Sequence, residues 1–166
     1  MYSIRYTSKE VSSRKIFSRL LPGTELIQGI KAICREHSVK TGIVTTLLGS
    51  LRQISYVYPI AEPKSKSRLK YCEPLTLQGP IEIFGADGTI GVMKDSEELA
   101  IHLHATFSDP SGTVYGGHIL EEGNPTAVTI EVAIEAFDDL LLERALDDET
   151  DMSLFTLKDR ACLQGR

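Results

Sequence analysis

The stretch 101-IHLHATFSDPSGTVYGGHIL-120 commits the chain to an antiparallel sheet more firmly than any other segment. Residues 101–107 alternate apolar and polar side chains, the period of a strand with one buried face. Asp109-Pro110-Ser111-Gly112 then has type I turn chemistry, with Asp first, Pro second and Gly fourth. Residues 113–120 return as the partner strand. This hairpin holds three of the chain's four histidines. His102 and His104 stand two apart and so point to one face, and the turn carries His118 back beside them. Gly116-Gly117 leaves space next to the third imidazole, because neither residue has a side chain.

The same punctuation recurs along the chain. Residues 16–21 read as a short strand stopped by Pro22-Gly23, and 43–60 as two strand segments divided at Gly49-Ser50. Residues 75–85 and 89–93 read as a hairpin turning at Ala86-Asp87-Gly88. Residues 126–137 form another strand, 140–146 follow Asp138-Asp139, and the acidic turn 147–151 leads to a last strand over 152–157. One segment has a helical period instead. Over 24–42, Leu26, Ile27, Ile30, Ile33 and Cys34 make a single apolar stripe. Thr24 is placed to cap its start, Glu25 to favour the positive end of its dipole, and Gly42 to help stop it. His37, near its end, reads as solvent-facing. The expected fold is α+β, a mostly antiparallel β-sheet with one long helix, in a single domain over 1–166. One helix cannot cover so much sheet, so one face or edge is expected to be buried against another copy of the chain.

Composition narrows the setting. With 166 residues, 42% apolar and 25% charged, the chain can bury one sizeable core and is neither disordered nor fibrous. No apolar run approaches the roughly 18 residues of a membrane span, and the N-terminal stretch has no secretory-type apolar segment. Cys34, Cys72 and Cys162 are odd in number and without a CxxC pair, which suits reduced thiols and a cytoplasmic location. The net charge of −5 is unevenly spread: residues 1–70 hold 13 Lys and Arg against 4 Asp and Glu, and residues 71–166 hold 5 against 19. Lys64, Lys66, Arg68 and Lys70 form the densest basic run, in a Pro- and Ser-rich stretch over 61–74 that reads as a solvated loop. Direct nucleic-acid binding is disfavoured for an acidic chain unless its cations gather on one face.

Three neutral imidazoles meeting at a point suit a divalent metal, zinc first, at Zn–N distances of about 2.0–2.1 Å with a fourth position open. The alternative is a set of histidines hydrogen-bonded within a polar core or a subunit interface. Glu82 and Glu131, carboxylates on strands, are candidates to bond a metal-bound histidine or to act as base on a bound water. Asp109 and Gly116 downstream of the HxH approximate the first cupin motif, but no glycine precedes His102 at that motif's spacing, and Asp109 is better used by its turn. A His102/Asp109/Ser111 triad fails because no nucleophile elbow is present and all three share one hairpin. The glycines of 112–117 lack the spacing and following helix of a phosphate loop.

Together, Pro22-Gly23 before an acidic helix start, 42-GIVTTLLGSL-51, 79-GPIEIFG-85, the HLH with its downstream GGH, and 129-TIEVAI-134 resemble the PPC ("plant and prokaryote conserved") domain over about residues 14–157. The resemblance implies an α+β fold around a mostly antiparallel sheet, assembled as a homotrimer. It also maps the metal-binding histidines of stand-alone members onto His102, His104 and His118. The chain has no Arg-Gly-Arg-Pro hook, so it resembles the stand-alone prokaryotic form; Gln164-Gly165-Arg166 is its nearest echo. Pro80 stands where plant members carry a basic residue, while Glu82 is retained.

The leading functional expectation is therefore a cytoplasmic PPC-domain trimer that binds a divalent metal and has a regulatory or ligand-sensing role through protein partners. The alternatives are a DNA-binding or transcription-associated protein and a zinc-dependent enzyme. No motif identifies a substrate, which leaves the enzyme reading behind the binding one.

Overall fold

In the computed structural model, which describes residues 4–159, two long strands organise the molecule. β2 (Gly42–Val57) and β5 (Leu75–Met93) run antiparallel from Gly42↔Ile90 to Tyr56↔Leu75. The remaining elements are β1 (Ser13–Leu20), α1 (Leu26–Glu36), β3 (Pro59–Ala61), β4 (Leu69–Tyr71), β6 (Leu99–Ser108), β7 (Val114–Ile119), β8 (Thr126–Phe137), β9 (Leu140–Asp147) and β10 (Met152–Asp159). The main sheet has the order β1-β8-β2-β7-β6-β5-β9-β10. Because β2 also pairs with β5, strands β2, β7, β6 and β5 close on one another. All these ladders are antiparallel except the short β5–β9 contact. The mostly antiparallel α+β architecture agrees with the sequence pattern.

The inner face carries one apolar cluster. Alternate residues Ile101, Leu103, Ala105 and Phe107 of β6 and Ile130, Val132, Ile134 and Ala136 of β8 point into it. The helix adds Leu26, Ile27, Ile30, Ile33 and Cys34, the stripe its spacing predicts. Burial pushes the Cys34 thiol up to about 11, as expected for a thiol inside an apolar wall.

Three expectations need correction. The helix is not long: it covers eleven residues, Leu26–Glu36, rather than 24–42. Its N-cap is Glu25, with no side-chain cap bond, because the Glu25 carboxylate accepts instead from the Asn124 N–H at 2.9 Å. The stop also comes early. Ser38 takes a left-handed φ of 54°, and the N–H groups of Ser38 and Val39 donate to the Arg35 and Cys34 carbonyls, a Schellman ending without glycine. Second, Ala86-Asp87-Gly88 is no turn, since both edges of β5 are taken there by β2 and β6. Third, the presumed loop 61–74 has a small β3–β4 hairpin at its base, pairing Pro59 with Tyr71.

The Gly49-Ser50 bend is present, but inside one continuous strand. Gly49 has φ 132°, and a Cβ there would meet the Thr129 carbonyl oxygen at 2.1 Å, so only glycine fits. Cys162 and residues 164–166 lie outside the described residues. Among the described residues, no helix is long and apolar enough to cross a membrane.

Candidate metal centre

The turn works as its composition predicts. Asp109 Oδ1 accepts from the N–H groups of Ser111 (2.9 Å) and Thr113 (3.0 Å), and the Gly112 N–H donates to the Asp109 carbonyl at 3.0 Å. These bonds, led by the Ser111 hydroxyl, hold the Asp109 carboxyl below the usual carboxylate range. The turn fixes the β6–β7 register so that His104 lies directly opposite His118. Side chains opposite one another across antiparallel strands share a face, and His102, two residues before His104, joins them.

The face they occupy is the outer one, since the odd-numbered residues of β6 fill the core. On the other side of β6, Asp87 stands opposite His104 and Thr89 opposite His102. Ile43 of β2 in turn pairs with Thr89. The site is thus two cross-strand rows, Asp87–His104–His118 and Ile43–Thr89–His102. A cavity of about 510 Å³ opens over them, with Ile43, Thr45, Asp87, Thr89, His102 and His104 in its walls.

The three rings are in mutual contact, with centroids 4.7 Å (His102–His104), 4.8 Å (His102–His118) and 5.4 Å (His104–His118) apart. One nitrogen from each lies within 4.8 Å of the other two. The Nε2 atoms of His102 and His104 are 2.9 Å apart. His118 Nδ1 is buried and has no hydrogen-bond partner. A buried polar nitrogen without a partner is costly and calls for an explanation; a metal ion would supply one.

Electrostatics favour the ligating form. Burial, then the charges of His104 and Arg144, lower His102 to about 4. Burial, then His102, His104 and Arg144, lower His118 to about 4. Both imidazoles are therefore neutral near pH 7 and keep a lone pair for a cation. Tyr71, at the end of β4, stacks on His118 with centroids 5.4 Å apart and the planes 29° from parallel. Gly117 brings β7 against β2: a Cβ there would meet the Val57 carbonyl oxygen at 2.7 Å and the Tyr56 ring at 2.8 Å.

The histidines are the group that the structure brings together; the glutamates are not part of it. Glu82 is exposed on β5, paired with Ser108 and Ser50, beyond a register shift that separates it from Asp87. Glu131 is half-buried on β8 between Arg19 and Leu48. Among the described residues, the one cluster with metal-ligand geometry contains neither. Sequence reasoning missed Asp87, which it assigned to a turn, and also Tyr71 and Arg144, which arrive from distant segments. For Asp87 a partial signal existed: Ala86, Asp87, Gly88, Thr89 and Ile90 keep a strand alternation, but its phase is reversed from that of Ile81 and Ile83 by the register shift at Phe84-Gly85.

The model of the Plants and Prokaryotes Conserved (PCC) domain matches residues 7–138. No curated protein matches the chain. Among solved structures, a metal-containing protein from Archaeoglobus fulgidus is similar at 22% identity and TM-score 0.73, covering 92% of this chain and 99% of that one. A plant- and prokaryote-conserved (PPC) protein from Pyrococcus horikoshii is similar at 22% identity and TM-score 0.74, covering 91% and 97%. A protein from Bacteroides thetaiotaomicron, whose name gives a provisional DNA-binding role, is similar at 19% identity and TM-score 0.69, covering 88% and 96%. At these identities the likeness establishes the shared fold.

Proposed function

The chain belongs to the Plants and Prokaryotes Conserved domain family, and on that premise we propose that it is a cytoplasmic homotrimer binding one divalent metal per chain, with a regulatory or ligand-sensing role through partners. The observation that carries the metal reading is the convergence of one nitrogen each from His102, His104 and His118 within 4.8 Å. The orphaned His118 Nδ1 and the neutrality of two of the imidazoles support it. Zinc is the first choice, since neutral imidazole suits it and three nitrogen donors leave one position open to a ligand or water. The solved relative from Archaeoglobus fulgidus, described as metal-containing, is consistent with the metal reading.

The trimer reading rests on the family and on the outer sheet face. Phe17 (71% exposed), Phe84 (58%) and Leu48 (42%) leave large apolar side chains in solvent there, the kind of surface that marks a protein contact. Light scattering should return three times the 18.3 kDa chain mass; a monomer would remove this part of the reading.

Two other roles receive less support. Direct DNA binding needs free cations on one face, yet Lys66 pairs with Asp151 at 2.9 Å and Lys70 with Glu62 at 3.2 Å. Hydrolysis at the metal through Glu82 or Glu131 would need a carboxylate in the histidine cluster, and neither joins it. Anomalous scattering at the zinc edge, from crystals grown without added metal, tests the main proposal. A peak between His102, His104 and His118 is expected, and a featureless map there would refute it.

A further inference from the structure

Arg144 stands on β9, on the sheet face that carries the histidines, stacked on an aromatic ring and without a carboxylate partner among the described residues. β9 takes over the edge of β5 where β2 ends, pairing Arg144 with Met93 in parallel register. On the other side of β9, Phe155 lies opposite Arg144 and so shares its face. The Phe155 ring covers Gly91: a Cβ at Gly91 would meet its atoms at 2.5 and 2.9 Å. Arg144 lies over that ring, its Cζ 5.6 Å from the centroid. Gly91 is two residues along β5 from Thr89, and Thr89 is opposite His102. The stacked pair therefore occupies the outer face just beyond the Thr89–His102 row, on the β2 side where the cavity opens.

Arg144 is half-buried, and among the described residues it has no carboxylate partner and no side-chain hydrogen bond. Its five N–H donors are arranged as a fork that matches a carboxylate or phosphate. Its charge is close enough to contribute to lowering both His102 and His118. A single acid, Asp87, is among the residues that line the cavity. A divalent ion on the three imidazoles adds two positive charges, so the loaded recess is net cationic and walled partly by Ile43. Such a recess attracts an anion more strongly than open solvent would permit. Arg144 lies outside residues 7–138, the stretch that matches the family model.

We propose that Arg144 anchors a small oxyanionic ligand, bearing a carboxylate or a phosphate, in the cavity beside the three histidines. The Arg144 fork holds the anionic group within reach of the metal that the histidines would bind, with the ligand's body against Ile43. This rests on the metal reading above, and it names the class of ligand that the metal site would sense.

The test uses the full chain loaded with cobalt(II), whose visible absorption responds to its ligands, titrated in separate arms with acetate and with inorganic phosphate. A saturable spectral change is expected in at least one arm, and the tighter arm identifies which oxyanion the site prefers. Arg144→Gln should weaken that binding about tenfold or more, the scale of a lost hydrogen bond to a charged group, while cobalt content stays the same. Arg144→Lys, which keeps the charge and loses the fork, should recover part of the affinity. Cobalt that loads but gives no saturable response, or a parent-like titration by Arg144→Gln, overturns this proposal and leaves the metal reading standing. Failure of cobalt to load at the histidines overturns both.

Discussion

His104 lies directly opposite His118 in the β6–β7 ladder, with the two rings 81° apart in plane and 5.4 Å between centroids. Their apposition depends on register: a slip of one residue between the strands would turn His118 into the core and Ile119 outward. The Asp109 turn sets that register from one end and the approach of β7 to β2 from the other.

Gly117→Ala tests the second constraint. The new methyl would sit 2.7 Å from the Val57 carbonyl oxygen and 2.8 Å from the Tyr56 ring, neither able to retreat cheaply. Destabilisation of about 1–3 kcal/mol is expected, the range for overpacking, together with weakened metal binding as β7 is pushed away. Denaturant midpoints and metal titrations of the variant check both; a parent-like midpoint would mean the contact is relieved elsewhere.

Tyr71→Ala separates packing from ligation. Tyr71 touches the His118 ring without offering the cluster a ligand atom. Its removal should leave the fold intact, because β3 and β4 lie outside the main sheet. Metal affinity should fall by about 10-fold, the low end of the loss seen when outer partners of ligating histidines are removed, with Tyr71→Phe restoring it. Equal affinities for the parent and Tyr71→Ala would show that the stack does not orient His118.

The metal-free protein should lose stability on acidification. His102 and His118 fall from their ordinary 6.5 to about 4 on folding, chiefly through burial. Between these values the unfolded chain binds protons that the folded chain refuses, so stability drops as pH falls from about 6.5 to about 4 and this contribution levels off below. Comparing denaturant midpoints of the parent and of His118→Asn at pH 7 and pH 4.5 isolates the effect. The parent should lose more of its midpoint than the variant, and parallel losses would contradict the assignment.

Burial at the centre of the inner face sets the scale for the core. Phe107 is fully buried, with Tyr56 at 5.0 Å edge-on and Tyr115 at 6.1 Å in a stack. Phe107→Ala should cost about 3–5 kcal/mol, read as a shift in the denaturant midpoint; a loss below about 1 kcal/mol would mean that the site collapses around the smaller side chain.

How much of this was legible in the sequence follows the range of the interactions involved. The histidine hairpin is local: alternation, a four-residue turn and a return strand are enough to aim His102, His104 and His118 at one point. The helix stripe from Leu26 to Cys34 is local too, but its ends are set by tertiary partners. Asn124 engages Glu25, and Ser38 adopts a conformation that its sequence neighbourhood does not advertise. Asp87-Gly88 carries a genuine turn signal that is overridden because β2 and β6 pair with β5 on both sides. Strand alternation also fixes which face Glu82 and Glu131 present, without saying how far along the sheet they sit. Tyr71 and Arg144 reach the site through packing between segments remote in sequence, which no periodicity encodes.

The central claim is that the three histidines hold a metal, and metal content per chain tests it most directly. Elemental analysis should be run on protein purified without added metal or a histidine tag, beside the His102→Ala/His104→Ala double variant. About one zinc per chain in the parent and almost none in the double variant, with assembly size unchanged, is the predicted result. Full metal retained by the double variant, or a metal-free parent that fails to take up added zinc, would contradict it.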